Sequence, residues 1–83
     1  MIFYVYLITS KIKKKTISYV GYTNNLEKRL KLHNNSKGAK FTKGRKWILV
    51  FKKKFKTKSE AMKYEYSLKK NYYLRNKIKR IYN

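Results

Sequence analysis

Residues 3–22 read FYVYLITSKIKKKTISYVGY, and this stretch decides the fold because it contains two candidate strands and the connection between them. Aromatic and β-branched residues fill positions 3–8 and 17–22, which is typical of strands, whereas the intervening TSKIKKKT is polar and basic. The pattern therefore predicts a β-hairpin.

The pairing of the two strands decides which side chains lie together. If Ile8 lies opposite Ile17, then Tyr6 lies opposite Tyr19, and directly opposed residues share one face of a sheet. The two phenols would then project side by side, either as part of a functional site or as ordinary aromatic packing.

A helix is predicted to follow the hairpin. Asn24 and Glu27 have the spacing of a capping box and predict a helix over about residues 25–34. Its apolar positions are Leu26 and Leu30. Because Arg29 and His33 lie one turn apart beside this stripe, we expect them to face the protein.

The segment after this helix, residues 34–46 (NNSKGAKFTKGRK), contains two glycines and no acid. It is predicted to be a surface loop that contacts phosphate. Its cationic side chains, together with Tyr22 ahead of the helix, are the candidate nucleic-acid contacts. The cations are Lys37, Lys40, Lys43, Arg45 and Lys46.

The remaining elements are predicted from similar signals. Residues 47–55 (WILVFKKKF) indicate a strand that is buried at its start and basic towards its end. Thr57 and Glu60 form a second capping box, which begins another helix. Residues 72–82 predict a last helix, because apolar residues recur there at helical spacing. They are Leu74, Ile78 and Ile81.

One acid of the second helix lies where apolar residues are expected. Glu65 falls within the stripe formed by Ala61, Tyr64, Leu68 and Tyr72. The chain has three acidic residues against 24 Lys and Arg, so an acid directed at the protein interior is a candidate functional group. The alternative is that Glu65 pairs with a lysine on a half-exposed face.

The composition narrows the classes of function. The formal net charge of +21 at pH 7 favours a polyanionic partner, and interleaved lysines and tyrosines suit phosphate contact and base stacking. Two alternatives are an anionic membrane surface and a codon bias that enriches lysine without functional meaning. No basic amphipathic helix stands apart from the folded pattern, so no membrane partner is expected.

Cysteine is absent and His33 is the single histidine, which excludes disulfide frameworks, zinc fingers and thiolate chemistry. The apolar start, MIFYVYLIT, is too short to cross a bilayer and lacks the positive charge of a signal peptide. The sequence therefore predicts one domain over residues 1–83 of a cytoplasmic protein.

If this domain hydrolyses nucleic acid, its composition excludes several mechanisms. Two-metal nucleases need a cluster of carboxylates, and paired-histidine mechanisms need two histidines. What remains is a divalent metal on one carboxylate, an arginine for phosphate, and a tyrosine or histidine for the attacking water. The residues that offer this set are Glu65, Arg29, Tyr6, Tyr19 and His33.

The motif VY at residues 5–6 and the motif YVG at residues 19–21, followed by Arg29, His33 and then Glu65, resemble the GIY-YIG endonuclease superfamily. The string YVGYTNNLEKRLKLHNNSKGAKFTKG, followed by SEAMKYEYSLKK, is most similar to the small standalone bacterial members. The resemblance covers the chain from the hairpin to the second predicted helix.

The resemblance implies a role for each of these residues. Glu65 matches the family's ligand for Mg²⁺ or Mn²⁺, Arg29 matches its phosphate-binding arginine, and His33 matches its helix histidine. Tyr6 and Tyr19 match its two motif tyrosines. One of them, with its phenol pKa lowered by nearby cations, is expected to accept a proton from water.

The chain departs from the family pattern at one position and leaves another position undecided. Tyr4 stands where the first motif has glycine. A late asparagine assists some relatives, and Asn71 and Asn76 are both candidates here.

The sequence thus predicts an α+β domain with a central three-stranded, largely antiparallel sheet flanked by helices, in the order β-β-α-β-α-α. The resemblance implies single-metal hydrolysis of DNA phosphodiesters, in DNA repair, recombination or processing, with no small-molecule cofactor. RNA stays open as a substrate, as does the oligomeric state. The alternative function is DNA or RNA binding without catalysis.

Overall fold

The structure is a computed structural model that describes residues 1–81. Its strands are β1 (Phe3–Ile12), β2 (Lys15–Thr23) and β3 (Ile48–Phe55). Its helices are α1 (Leu26–Asn34), α2 (Lys58–Lys70) and α3 (Tyr72–Ile81). The α+β class and the order β-β-α-β-α-α are confirmed. Tyr82, which was predicted to end the last helix, lies outside the described residues.

The strands form one sheet in the order β2-β1-β3, and both pairings are antiparallel. The central strand β1 has a neighbour on each side and layers on both faces. This position explains why its residues 5–10 are all buried, whereas residues 52–54 of the edge strand β3 are exposed lysines.

The hairpin is longer than the sequence predicts. Residues 9–12 continue β1 instead of forming a loop, and the chain reverses at Lys13 and Lys14. Lys13 adopts a left-handed φ of 56°, which the tight connection between two twisted strands requires. The short turn fixes the register of the two strands.

That register differs from the prediction by two residues. Ile8 does not lie opposite Ile17; it lies opposite Tyr19, and Tyr6 lies opposite Gly21. Because side chains alternate with a period of two, a two-residue shift leaves every side chain on its predicted face. Tyr6 and Tyr19 therefore still share one face, as diagonal neighbours.

Each face of the sheet carries its own hydrophobic cluster. On one face α2 and α3 cover the larger cluster, whose buried members are Val5, Leu7, Val20, Val50, Ala61, Leu68 and Ile78. The other face carries a smaller cluster of Tyr6, Ile8 and Trp47, which is packed against Leu26 and Leu30 of α1. The sheet thus separates α1 from the two later helices.

Side chains fix the start of the first two helices. The predicted capping box at Asn24 is wrong by one position, because the Asn25 side chain accepts the hydrogen bond from the Lys28 amide. For α2 the prediction is confirmed: the Thr57 hydroxyl oxygen accepts from the Glu60 amide at 3.2 Å and donates to the Glu60 carboxylate at 3.0 Å.

The predicted apolar stripe of α2 does not extend to Tyr72. The helix ends at Lys70, and the Asn71 side chain accepts the Leu74 amide at 3.0 Å and so caps α3. Tyr72 consequently begins a new helix and is 63% exposed. In α3, Leu74 packs against the larger cluster and Ile78 belongs to it, but the predicted apolar position at Ile81 is exposed.

Candidate active site

A hydrogen bond between Tyr6 and His33 joins the sheet to α1. The Tyr6 hydroxyl lies 2.8 Å from His33 Nε2, and both side chains are buried, with 2% and 1% of their surfaces exposed. Tyr6 reaches this position because β1 directs it to the α1 face, and His33 reaches it from the last turn of the helix. The Tyr19 ring lies against the same imidazole, with a centroid separation of 5.2 Å.

The other imidazole nitrogen is held by the loop between α1 and β3. His33 Nδ1 lies 2.9 Å from the hydroxyl of Thr42, a fully buried residue. The loop is fastened behind Thr42 by Trp47, whose indole N–H donates to the Thr42 carbonyl at 2.9 Å. The Asn34 side chain forms two hydrogen bonds with the Trp47 backbone. Its Oδ1 accepts from the Trp47 N–H at 2.6 Å, and its Nδ2 donates to the Trp47 carbonyl at 3.1 Å. The predicted surface loop therefore has a buried centre.

Two glycines make room for the Tyr6–His33 pair. A Cβ on Gly21, opposite Tyr6 in the hairpin, would overlap the phenol hydroxyl. A Cβ on Gly38, at the start of the loop, would overlap the imidazole ring. Both glycines are thus required by close approach to one hydrogen-bonded pair.

Burial governs the ionisation of this pair. It raises the pKa of the Tyr6 phenol well above its ordinary value, helped by the neighbouring Tyr19 and opposed by the Arg29 guanidinium. Burial also lowers the pKa of His33, as does the positive charge of Arg29, so the imidazole is neutral at neutral pH. The expectation of a lowered phenol pKa is therefore wrong for Tyr6, because desolvation outweighs the nearby cation.

A cleft opens beside the pair and gathers groups from four elements. Tyr6 and Tyr19 line it from the hairpin, Arg29 from α1 and Glu65 from α2. Within residues 1–81 the half-buried guanidinium of Arg29 forms no hydrogen bond or ion pair. The cleft thus holds an unengaged cationic fork whose five donors match the geometry of a phosphate.

Glu65 lines this cleft and also contacts a lysine. Its carboxylate lies 3.7 Å from the ammonium of Lys69, one turn along α2, and 19% of its side chain is exposed. Half of the Lys69 side chain is exposed, so the pair contributes little stability. The alternative interpretation of Glu65 as a partner of a surface lysine thus describes a weak contact that leaves the carboxylate facing the cleft.

The donor set of the cleft suits a weakly held divalent cation. Among residues 1–81, no three His, Asp or Glu side chains gather into a metal-binding group. One carboxylate beside two phenols fits Mg²⁺, which keeps several waters and commonly shares a single carboxylate with substrate phosphates.

The loop places cations and one aromatic ring next to Tyr19. The predicted contacts Lys37, Lys40, Lys43 and Lys46 are exposed. Half of the Phe41 surface is also exposed, and its ring stacks on Tyr19 with an interplanar angle of 21°. The fifth predicted contact, Arg45, donates to the Phe41 carbonyl at 3.1 Å and lies over the Phe41 ring. Tyr22 lines the cleft but packs partly against the larger cluster.

Comparison with known proteins identifies the family. A family model described as the GIY-YIG catalytic domain matches residues 2–79. The chain belongs to the GIY-YIG family. This domain is a nuclease domain, which implies a nucleic-acid substrate, and nucleases that contain it generally use divalent metal ions.

Small bacterial proteins resemble this GIY-YIG chain in sequence. The UPF0213 protein YazA of Bacillus subtilis is 52% identical over 65 residues, which make up 77% of this chain and 63% of YazA. The UPF0213 protein OB0043 of Oceanobacillus iheyensis is 48% identical over 67 residues, or 80% of this chain and 74% of that protein. The chain thus spans just under two thirds of the length of YazA, and neither name states an activity.

A solved structure supports the fold. The solution NMR structure of the UPF0213 protein BH0048 from Bacillus halodurans superposes with a TM-score of 0.53 and 37% sequence identity. The match covers 93% of this chain and 80% of the BH0048 chain. In the part of the GIY-YIG chain that the structure describes, no helix has the length and apolar character needed to cross a membrane.

Sequence reasoning missed two residues of the site. Thr42 carried no signal, because a threonine in a lysine-rich loop is ordinary surface composition until the fold buries it. Phe41 could have been noticed as an aromatic residue among cations. The two candidate asparagines, Asn71 and Asn76, are not among the described residues that line the cleft, and Asn71 is a helix cap.

Replacement of Gly38 by alanine tests the close packing around the imidazole. We expect Gly38→Ala to lower the free energy of unfolding by roughly 1 to 3 kcal/mol, because the new methyl group and the His33 ring cannot occupy the same space. Chemical denaturation measures the change. In a His33→Ala background the same substitution should cost little, since the ring is absent. Equal costs in both backgrounds would show that the imidazole does not set the requirement for glycine.

Proposed function

We propose that this GIY-YIG protein is a metal-dependent endonuclease that hydrolyses phosphodiester bonds in DNA. The observation that carries the proposal is the convergence of Arg29 and Glu65, from two helices on opposite faces of the sheet, on a cleft lined by Tyr6 and Tyr19. A protein that only bound nucleic acid through its lysines would not need this arrangement. The family membership supports the same conclusion.

Glu65 is the residue that would hold the metal. Mg²⁺ or Mn²⁺ on this carboxylate would polarise the scissile phosphate and stabilise charge on the leaving oxygen. The side chain suits this role because it is largely shielded from solvent yet faces the cleft, and its contact with Lys69 is long and half exposed. A substrate phosphate and water would complete the coordination shell.

Arg29 would bind the scissile phosphate. Its guanidinium is free of partners within residues 1–81 and lies in the cleft with Glu65. A planar fork can donate two parallel hydrogen bonds to a phosphate, and its charge opposes the negative charge that develops in the transition state.

A motif tyrosine would accept the proton of the attacking water. Tyr6 and Tyr19 both line the cleft, but their surroundings differ. Tyr6 is buried and hydrogen-bonded to a neutral imidazole, whereas Tyr19 is half-buried between His33 and Phe41. A phenol coupled to a base can take up a proton without first becoming a phenolate.

The loop would guide the strand into the cleft. Its exposed lysines supply charge for the phosphates, and the exposed half of Phe41 offers a face on which a base can stack. Because Phe41 stacks on Tyr19 at the rim of the cleft, a nucleotide held there would lie next to the bond to be broken.

The activity is tested directly with labelled nucleic acids. The protein is incubated with single-stranded, duplex and branched DNA, and with RNA, in the presence of Mg²⁺, Mn²⁺ or a chelator. Metal-dependent cleavage of DNA supports the proposal and defines the substrate geometry. Tight binding without cleavage of any substrate would favour the alternative function, which is nucleic-acid binding without catalysis. Cleavage of RNA but not of DNA would contradict the proposal that DNA is the substrate. The setting in DNA repair, recombination or processing depends on which geometry is cleaved.

Binding of DNA should weaken steeply with salt, because each neutralised phosphate releases counterions. For a contact with about six phosphates, affinity should fall on the order of a thousandfold between roughly 50 and 200 mM salt. Fluorescence anisotropy with labelled DNA measures this slope. A nearly flat dependence would rule out the electrostatic basis of binding.

Arg29→Lys should reduce cleavage although the charge is kept, since an ammonium cannot reproduce a two-point contact with phosphate. The expected loss is roughly 2 to 4 kcal/mol of transition-state stabilisation, with little change in DNA affinity. Single-turnover rates measure the loss. Arg80→Lys, at an exposed position of α3, makes the same change away from the cleft and should cleave like the parent. If Arg29→Lys cleaves DNA at the parental rate, Arg29 does not bind the scissile phosphate.

Glu65→Gln should abolish metal-dependent cleavage, because it preserves shape and removes the one acidic side chain that lines the cleft among residues 1–81. DNA affinity without metal should hold or rise slightly, and the melting temperature should hold or rise, because the lost contact with Lys69 is weak. Cleavage, anisotropy and thermal melting measure the three effects.

Glu27→Gln is the matched control for this substitution. It removes an equivalent contact one turn apart, the 3.8 Å pair of Glu27 with Lys31, from the exposed side of α1. Its cleavage should equal that of the parent. If Glu65→Gln is instead destabilised by a few kcal/mol yet still cleaves, the carboxylate has a structural role and is no metal ligand.

A further inference from the structure

A chain of hydrogen bonds runs inward from the cleft and ends in the loop. It passes from the Tyr6 hydroxyl to His33 Nε2 over 2.8 Å, and from His33 Nδ1 to the Thr42 hydroxyl over 2.9 Å. The Thr42 hydroxyl then donates to the Ala39 carbonyl at 3.0 Å and accepts from the Ala39 amide at 3.2 Å. The inner end of the chain is therefore tied to the backbone.

The partners of Thr42 and Tyr6 favour one tautomer of His33. With the single Thr42 hydroxyl proton assigned to the Ala39 carbonyl, which also accepts from the Thr42 amide at 3.1 Å, the hydroxyl oxygen is left to accept from His33 Nδ1–H. His33 Nε2 then carries a lone pair and accepts the Tyr6 proton. In the opposite tautomer His33 Nε2 would donate, and the Tyr6 hydroxyl proton would have no hydrogen-bond acceptor among residues 1–81.

We propose that Thr42 is a positioning residue of the active site, which holds His33 as the Nδ1–H tautomer so that the Tyr6–His33 pair can relay a proton out of the cleft. This inference rests on the proposed function, because it concerns how the attacking water is activated. Thr42 itself touches neither the cleft nor the reacting atoms.

The proposed proton relay conserves protons and electron pairs. The water oxygen forms a bond to phosphorus and gives its proton to the Tyr6 oxygen, while the Tyr6 proton passes to His33 Nε2. The bond from phosphorus to the leaving oxygen breaks, and its electron pair stays on that oxygen, which is then protonated by solvent. His33 ends as an imidazolium and returns its proton through Tyr6 to solvent.

This route explains why a buried phenol can serve. Tyr6 is neutral before and after the step, so its burial, which opposes a phenolate, does not oppose the relay. His33 must be neutral to receive the proton, and its enclosure by Tyr6, Tyr19 and Gly38 keeps it so. The held tautomer directs its lone pair at Tyr6.

The tautomer can be measured in the protein without substrate. His33 is the single histidine of the chain, so a long-range ¹H–¹⁵N correlation spectrum of uniformly labelled protein shows one imidazole. We expect the Nδ1 signal of a protonated nitrogen and the Nε2 signal of an unprotonated one at neutral pH. The reverse assignment, or an imidazolium, would overturn the proposal.

Substitution then separates the hydroxyl of Thr42 from its volume. Thr42→Val removes the acceptor at nearly constant shape, so the Nδ1–H population should fall and the cleavage rate should drop by about tenfold to a hundredfold, as when a metal-bound histidine loses the group that orients it. Thr42→Ser restores the hydroxyl and should restore both the tautomer and most of the rate. Thr9→Val, at a buried threonine on the opposite face of β1, should change neither.

These outcomes are distinct from those that test the proposed function. If the parent protein shows the Nδ1–H tautomer but cleaves no nucleic acid, the proposed function is wrong, although Thr42 still positions His33. A parent that cleaves with His33 in the Nε2–H form, or a Thr42→Val protein that keeps the parental tautomer and rate, would overturn the role of Thr42. Should Thr42→Val not fold, the spectrum of the parent and the behaviour of Thr42→Ser still decide.

Discussion

The buried hydrogen bond between Tyr6 and His33 is the constraint on which the site depends. It joins the central strand to the end of α1, and the smaller hydrophobic cluster, two glycines and the start of the loop are arranged around it. A buried polar pair is costly unless it is fully satisfied, and here both imidazole nitrogens have partners. The pair therefore admits one arrangement of strand, helix and loop, and that arrangement places Arg29 in the cleft.

The sheet makes the site possible by separating two kinds of packing. The fully buried side chains under α2 and α3 are aliphatic and supply most of the core, whereas the face under α1 buries Tyr6, Trp47 and His33. Glu65 belongs to the first side and Tyr6 to the second, and both line the same cleft. In a chain of net charge +21, this cleft brings Glu65 together with Arg29, whose guanidinium has no partner within residues 1–81.

Much of this could be predicted from the sequence, for definable reasons. Strand and helix periodicity gave the order of elements, and the misplacement of Glu65 on an apolar stripe pointed to the cleft. The hairpin register could not be predicted, because it depends on a two-residue turn within TSKIKKKT, where no glycine, asparagine or proline marks the turn. Nor could the burial of Thr42, which follows from tertiary contacts with His33 and Trp47 that leave no local pattern. The raised pKa of Tyr6 likewise depends on burial, which neighbouring lysines in the sequence do not show.

A double-mutant cycle between Tyr6→Phe and His33→Leu shows whether the two side chains act as one unit, with the free energy of unfolding and the single-turnover cleavage rate measured for all four proteins. We expect the effects of the two substitutions to be coupled, both in the free energy of unfolding and in the cleavage rate. The stabilities should show an interaction energy of about 1 kcal/mol, and the double variant should cleave no more slowly than the slower single variant. Effects that simply add in both measurements would contradict this expectation, because Tyr6 and His33 would then act independently in the fold and in the reaction.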